Sequence, residues 1–238
     1  MSLSTLLGKI NPPQQKKKQE IVIPLIREPE KEVPKDKRIV IKLRSTPGNA
    51  NSQLYEVVTR AFDHGTPEEW IRHRKIITKI LEGQNITNGP DSFRMTRRLL
   101  EGKALADFEA SIVTNGFTES VANLQLALRD VAVPIFPTRA LQKQRRSMRR
   151  KMPKPLSMPV AQYWAQLVQL NEFLPFFPGG DDTSKLYEDD LKEVLEFGIP
   201  ETWRMHMTIT RFISANEDPA SIVNFCQELE GIEQEHRN

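Results

Sequence analysis

From residue 66 onward, apolar positions recur every three or four residues, the period of a helix with one buried face. "TPEEW" opens the first of these runs: Thr66 is a good N-cap, Pro67 takes the first helical position and Glu69 completes a capping box. Trp70, Ile77 and Leu81 then share a face, and Gly83 ends the run. A second helix follows "NGPD", with Phe93, Thr96, Leu99 and Leu100 inward and Gly102 after it. A third carries Leu105, Phe108 and Ile112 and stops at Gly116; a fourth, over residues 118–132, points Val121, Leu124, Leu128 and Val131 inward. "VPIFP" breaks the series, because neither proline can donate a backbone N–H. Beyond it, a helix over residues 138–151 ends at "MPKP", and Val160, Tyr163, Trp164, Leu167, Leu170 and Leu174 form the clearest amphipathic stripe of the chain. "PFFPGGDDTS" reads as a loop, and Glu188, Asp189 and Asp190 then crowd a first turn, where the helix dipole favours negative charge. Trp203, Met207 and Thr210 mark a short helix. The last is capped by Asp218, opened by Pro219, and buries Ile222, Phe225, Cys226 and Leu229.

The pattern predicts an all-α chain of about nine helices in two lobes, residues 51–135 and 136–238. Residues 1–50 precede them as a basic arm. Over residues 1–36, segments such as "PPQQKKKQE" and "REPEKEVPKDK" are too polar to offset chain entropy, so that stretch is expected to be disordered. "RIVIKL" is one short strand or extended segment, with "RSTPGNANS" as a loop and no convincing second strand. Trp70, Leu99, Phe108, Trp164, Leu167, Trp203 and Phe225 are expected in the core, since aromatic and aliphatic stripes at helical spacing usually pack.

Charge changes this picture. The chain of 238 residues carries a net charge of only +3, but unevenly. Residues 131–171 hold 8 basic and no acidic side chains, whereas residues 172–238 hold 5 basic and 15 acidic ones. Such a dipolar chain attracts copies of itself as readily as a polyanion. The single cysteine, Cys226, fits a reducing compartment and forms neither an internal disulfide nor a zinc knuckle. No apolar run is long enough for a signal peptide or a membrane span.

Catalytic constellations are scarce. His64, His73, His206 and His236 show no metal-ligand spacing, and no glycine-rich phosphate loop is present. "GGDD" at residues 179–182 sits in loop composition, and "YEDDLKE" reads as a helix start. Neither an enzyme, a cofactor, a metal nor a small-molecule substrate is expected. The conspicuous chemistry is "RALQKQRRSMRRKMPKP". On a helix, Arg139, Lys143, Arg146 and Arg150 form one stripe with Arg145 and Arg149 beside it and Lys151 at its end, opposite an apolar strip of Leu141, Met148 and Met152. The stripe suits a solvated face, an acidic partner or nucleic-acid phosphates, as does the Lys16, Lys17 and Lys18 run of the arm. No aromatic residue is interleaved to stack on bases, so any nucleic-acid contact would ignore sequence.

Five segments occur in one order: "FDHGTPEEWIRHRK", "NGPDSFRMTRRLLEGKALADFEA", "PIFPTRALQKQRRSMRRKMPKPLSM", "LNEFLPFFPG" and "DDLKEVLEFGIPETW". Together, over about residues 43–230, they resemble the Gag-like capsid region of LTR retrotransposons. The resemblance implies an all-α, two-lobe capsid protein that assembles into cytoplasmic particles around the element's RNA. It places Trp70 and "LLEGKALADF" in the first lobe, and "MPVAQYWAQLVQLNEFL" and "LEFGIPETW" in the second. The zinc knuckle, protease and polymerase that follow many Gag chains are not expected here, nor is a form of the glycine- and glutamate-containing homology segment found. The implied partners are further copies of the chain and RNA, with no membrane. A nucleic-acid-binding or protein-interaction module that does not assemble is the alternative reading.

Overall fold

The computed structural model describes residues 21–27, 32–150 and 152–235. Among the described residues the fold is all-α apart from one hairpin. Strands β1 (Ile39–Arg44) and β2 (Leu54–Thr59) pair antiparallel, with Val40 opposite Val58 and Lys42 opposite Glu56. Nine α-helices follow among the described residues: α1 (Pro67–Gly83), α2 (Gly89–Arg98), α3 (Gly102–Asn115), α4 (Val121–Ala132), α5 (Ala140–Arg150), α6 (Val160–Phe173), α7 (Glu188–Gly198), α8 (Glu201–Thr210) and α9 (Pro219–Glu235).

The helix starts follow the local chemistry. Glu69 N–H donates to Thr66 Oγ1 at 3.3 Å while Thr66 N–H donates to Glu69 Oε2 at 2.7 Å, the reciprocal box the sequence predicts. Asp218 Oδ1 accepts from the N–H groups of Ala220 and Ser221 at 2.8 and 3.0 Å and caps α9. Gly116, at φ 61°, closes α3 in the left-handed conformation that glycine adopts without strain. Gly102 departs from expectation. It opens α3 rather than trailing α2, and the first-turn N–H of Lys103 is satisfied by Asp63 Oδ1 at 2.6 Å. That cap comes from a residue upstream of two helices, so no local pattern announces it.

The hairpin corrects the expectation of a single extended segment, and it joins strands on either side of the boundary expected at residue 50. Ile41 and Leu43 turn inward while Val40 and Lys42 face out. A Cβ on Gly83 would stand 3.1–3.3 Å from three side-chain carbons of Leu43, so this glycine lets β1 press onto α1 as well as ending the helix. Residues 21–27 also depart from the expected disorder: Ile23 and Leu25 are buried in the core. They lie in a run of β-branched and aliphatic residues inside a polar arm, which a composition average dilutes.

One continuous apolar cluster runs through the helices, with Trp70, Leu99, Phe108, Leu167 and Trp203 all buried as expected. Trp164 and Phe225 pack against it half-buried; Val121, expected inward, is exposed. Several contacts cross the break at residues 133–138. Phe136 meets Phe177 with ring centroids 5.0 Å apart. Arg129 Nη2 donates to the Gly180 carbonyl at 3.0 Å. Arg74 on α1, held on its own side by Gln125 Oε1 at 2.8 Å, reaches across to lie 5.3 Å from the Phe176 ring centre. Burial, with Arg129 adding repulsion, lowers the Arg74 pKa to about 10, still well above neutrality, so a cation is held inside the junction.

Candidate nucleic-acid interface

Helix α5 has two opposed faces because of its residue order. Ala140, Leu141, Gln144, Ser147 and Met148 are buried, at the offsets that trace one side of a 3.6-residue helix. On the other side Arg139, Arg146, Arg149 and Arg150 are exposed, and Lys143 and Arg145 are half-buried. The helix is therefore docked with its positive face outward. Arg139 immediately precedes it at φ 57°, a strained conformation for a side chain with a Cβ. Lys16, Lys17, Lys18 and Lys151, the other expected contacts, lie outside the described residues.

One member of the stripe is already occupied. Arg149 Nη2 donates to Asp190 Oδ2 at 2.9 Å, and Asp190 belongs to the acidic first turn of α7. With both side chains partly exposed, such a pair contributes about 0–1 kcal/mol. It orients Arg149 rather than holding the fold. Arg139, Lys143, Arg145, Arg146 and Arg150 make no salt bridge among the described residues. Four cations of α5, with Arg139 just before it, thus lack a salt-bridged carboxylate among the described residues, and counterions or an anionic partner relieve their mutual repulsion.

The inner face of α5 carries a polar residue that the amphipathic pattern does not single out. Gln144 is fully buried and reads the backbone of residues 22 and 23. Its Oε1 accepts from Val22 N–H at 3.2 Å and from Ile23 N–H at 2.9 Å, and its Nε2 donates to the Ile23 carbonyl at 3.0 Å. The nearby Arg27 donates to Glu68 Oε1 on α1 at 3.2 Å and stacks over Phe173 of α6 at 5.7 Å. Desolvation lowers the Arg27 pKa despite Glu68, and its buried Nε and Nη2 have no hydrogen-bond partner among the described residues. Residues 21–27 thus form a strap from α5 to α1 and α6. A glutamine among the inward positions of the helix was the available signal, since such a group must find a partner inside.

The remaining candidates are structural. A cavity of about 570 Å³ lies beside the strap, lined among others by Arg60, Phe62, Glu68, Arg72 and His73. His73 Nε2–H donates to the Leu99 carbonyl at 2.7 Å, and burial drives its pKa down to about 4. Asp181 in "GGDD" accepts from Thr183 and Ser184, which hold its carboxyl below the usual range, so it caps a turn. Among the described residues, no group of three or more His, Cys, Asp or Glu side chains could hold a metal ion. No described helix is long and apolar enough to cross a membrane.

No family model, curated protein or solved structure matches this chain.

Proposed function

We propose that this chain is a Gag-like capsid protein of an LTR retrotransposon, a helical unit that associates with copies of itself and with RNA in the cytoplasm. The observation that carries the reading is the one-sidedness of α5: Lys143, Arg145, Arg146 and Arg150, with Arg139 just before the helix, make no salt bridge among the described residues, while the helix's other side is locked into the core. The order of the five sequence segments supports it. Complementary charge is present on the same chain: Glu188, Glu193, Glu201 and Glu228 are exposed and make no salt bridge among the described residues. A positive face on α5 and exposed carboxylates on α7, α8 and α9 permit heterologous contacts, which build rings or lattices rather than closed dimers. Weak contacts suffice when repeated many times. The role requires no catalysis and no cofactor.

Light scattering coupled to size-exclusion chromatography, with and without single-stranded RNA at two salt concentrations, tests the proposal. Salt-sensitive multimers promoted by RNA are expected. Replacing Arg139, Lys143, Arg146 and Arg150 together by Gln should reduce the slope of log affinity against log salt by about 3, at roughly 0.7 per phosphate contact on a single strand. An unchanged slope removes α5 as the RNA face. RNA binding by a chain that stays monomeric at high concentration defeats the assembly half and leaves a non-assembling binding module.

A further inference from the structure

We infer that residues 21–27 are an exchangeable arm, and that the cleft they fill also accepts the same segment from a second copy of the chain. The inference rests in part on the proposed self-association, which would bring such copies side by side.

The seat is defined by interactions that do not depend on which chain supplies the arm. Ile23 and Leu25 fill apolar positions, and Gln144 reads backbone groups alone. The ion pair joins Arg27 to Glu68, a residue of the body. A second copy's arm can repeat each contact without any new surface, which makes exchange a low-cost route to association.

The described part of the connector makes no hydrogen bond to the helical body among the described residues. Residues 32–38 are almost wholly exposed. Their hydrogen bonds among the described residues stay local, Lys37 N–H to the Pro34 carbonyl and Arg38 Nε to the Val33 carbonyl. From the arm to β1, residues 28–38 are eleven residues long, a length that can span at most about 40 Å at full extension. The arm's hold is also imperfect. Two nitrogens of a buried guanidinium find no partner among the described residues, a costly arrangement that weakens the seat. Intramolecular seating is favoured in dilute solution, and packing of copies raises the effective concentration of foreign arms.

Reciprocal charge reversal tests this with full-length chains. Arg27→Glu disables the arm of one variant and Glu68→Lys the cleft of another, so each should seat its own arm poorly. In the mixture, the native Arg27 arm of the cleft variant meets the native Glu68 cleft of the arm variant. The two reversed sites also meet as opposite charges. Native mass spectrometry should then show a 1:1 heterodimer absent from either variant alone. A mixture containing only the species of the separate variants overturns the inference. Should both variants prove unfolded by circular dichroism, a second measurement decides. A photo-cross-linker is placed through Pro24→Cys, an exposed position, in a Cys226→Ser background. This chain is mixed with an isotopically heavy chain lacking the probe. Light-to-heavy cross-links near Gln144 support exchange, and cross-links within the light chain alone overturn it. Failure of the assembly reading is seen separately, as a wild-type chain that stays monomeric by light scattering with RNA.

Discussion

Replacing Gln144 by Leu removes three hydrogen bonds and keeps the side-chain volume nearly constant. If the strap stays seated, the N–H groups of Val22 and Ile23 and the carbonyl of Ile23 lose their partner. At about 1 kcal/mol net for each bond, the loss is roughly 3 kcal/mol. Release of the strap is the other route. It exposes Ile23 and Leu25, worth about 1.5–3 kcal/mol apiece, while returning backbone freedom of about 1–2 kcal/mol per residue. The freedom recovered on release offsets the exposed apolar area, so the seated route sets a ceiling and the expected destabilisation with the strap in place is roughly 3 kcal/mol. For a chain of this size that corresponds to a fall in Tm of at most about 6–12 °C. Urea denaturation gives the free energy, and amide exchange at Val22 and Ile23 tells which route is taken. Gln144→Glu sharpens the test: it keeps an acceptor for the two N–H groups but turns an anion toward the Ile23 carbonyl, and should cost at least as much as Leu. A loss under about 0.5 kcal/mol with the Ile23 amide still protected would refute this account of the strap.

Protonation of His73 gives a pH dependence of known sign. Its folded pKa of about 4 lies below the ordinary value of 6.5, so between those values the unfolded chain binds the extra proton and stability rises with pH. Acidification from pH 6.5 to 4 should remove up to about 3 kcal/mol, read from urea midpoints, and His73→Gln should flatten that part of the profile. Phe108→Ala, which empties a fully buried site beside Phe93, should cost about 3–5 kcal/mol by thermal or chemical denaturation. In Gly89→Ala the new Cβ would overlap the backbone carbonyl of Glu119, so a loss of roughly 1–3 kcal/mol or more is expected by the same denaturation measurements, against a small gain from alanine's helix propensity.

The helices were legible because their signals are local. Thr66, Asp218, Gly116 and the inward stripes each announce an element within a turn or two of themselves. What escaped depends on distance along the chain. "LYEVVT" is rich in β-branched and aromatic residues, but a six-residue strand declares itself only through its partner, and β1 lies across a nine-residue turn. The basic face of α5 could be read from spacing alone. Its occupation by Asp190 could not, since that carboxylate lies on another helix. Residues 21–27 were hidden twice over, by polar neighbours in sequence and by a partner, Gln144, that is 121 positions from Ile23.

That long separation also orders events on the ribosome. Ile23 emerges early, but its hydrogen-bonding mate is made 121 residues later, an interval of roughly 6–24 s at 5–20 residues per second. Throughout that delay "IVIPLI" lacks the α5 side of its seat, an aliphatic hexapeptide offered to chaperones and to sibling nascent chains on the same polysome. Slowing or speeding translation of the α5 codons would lengthen or shorten that window without altering a single amino acid.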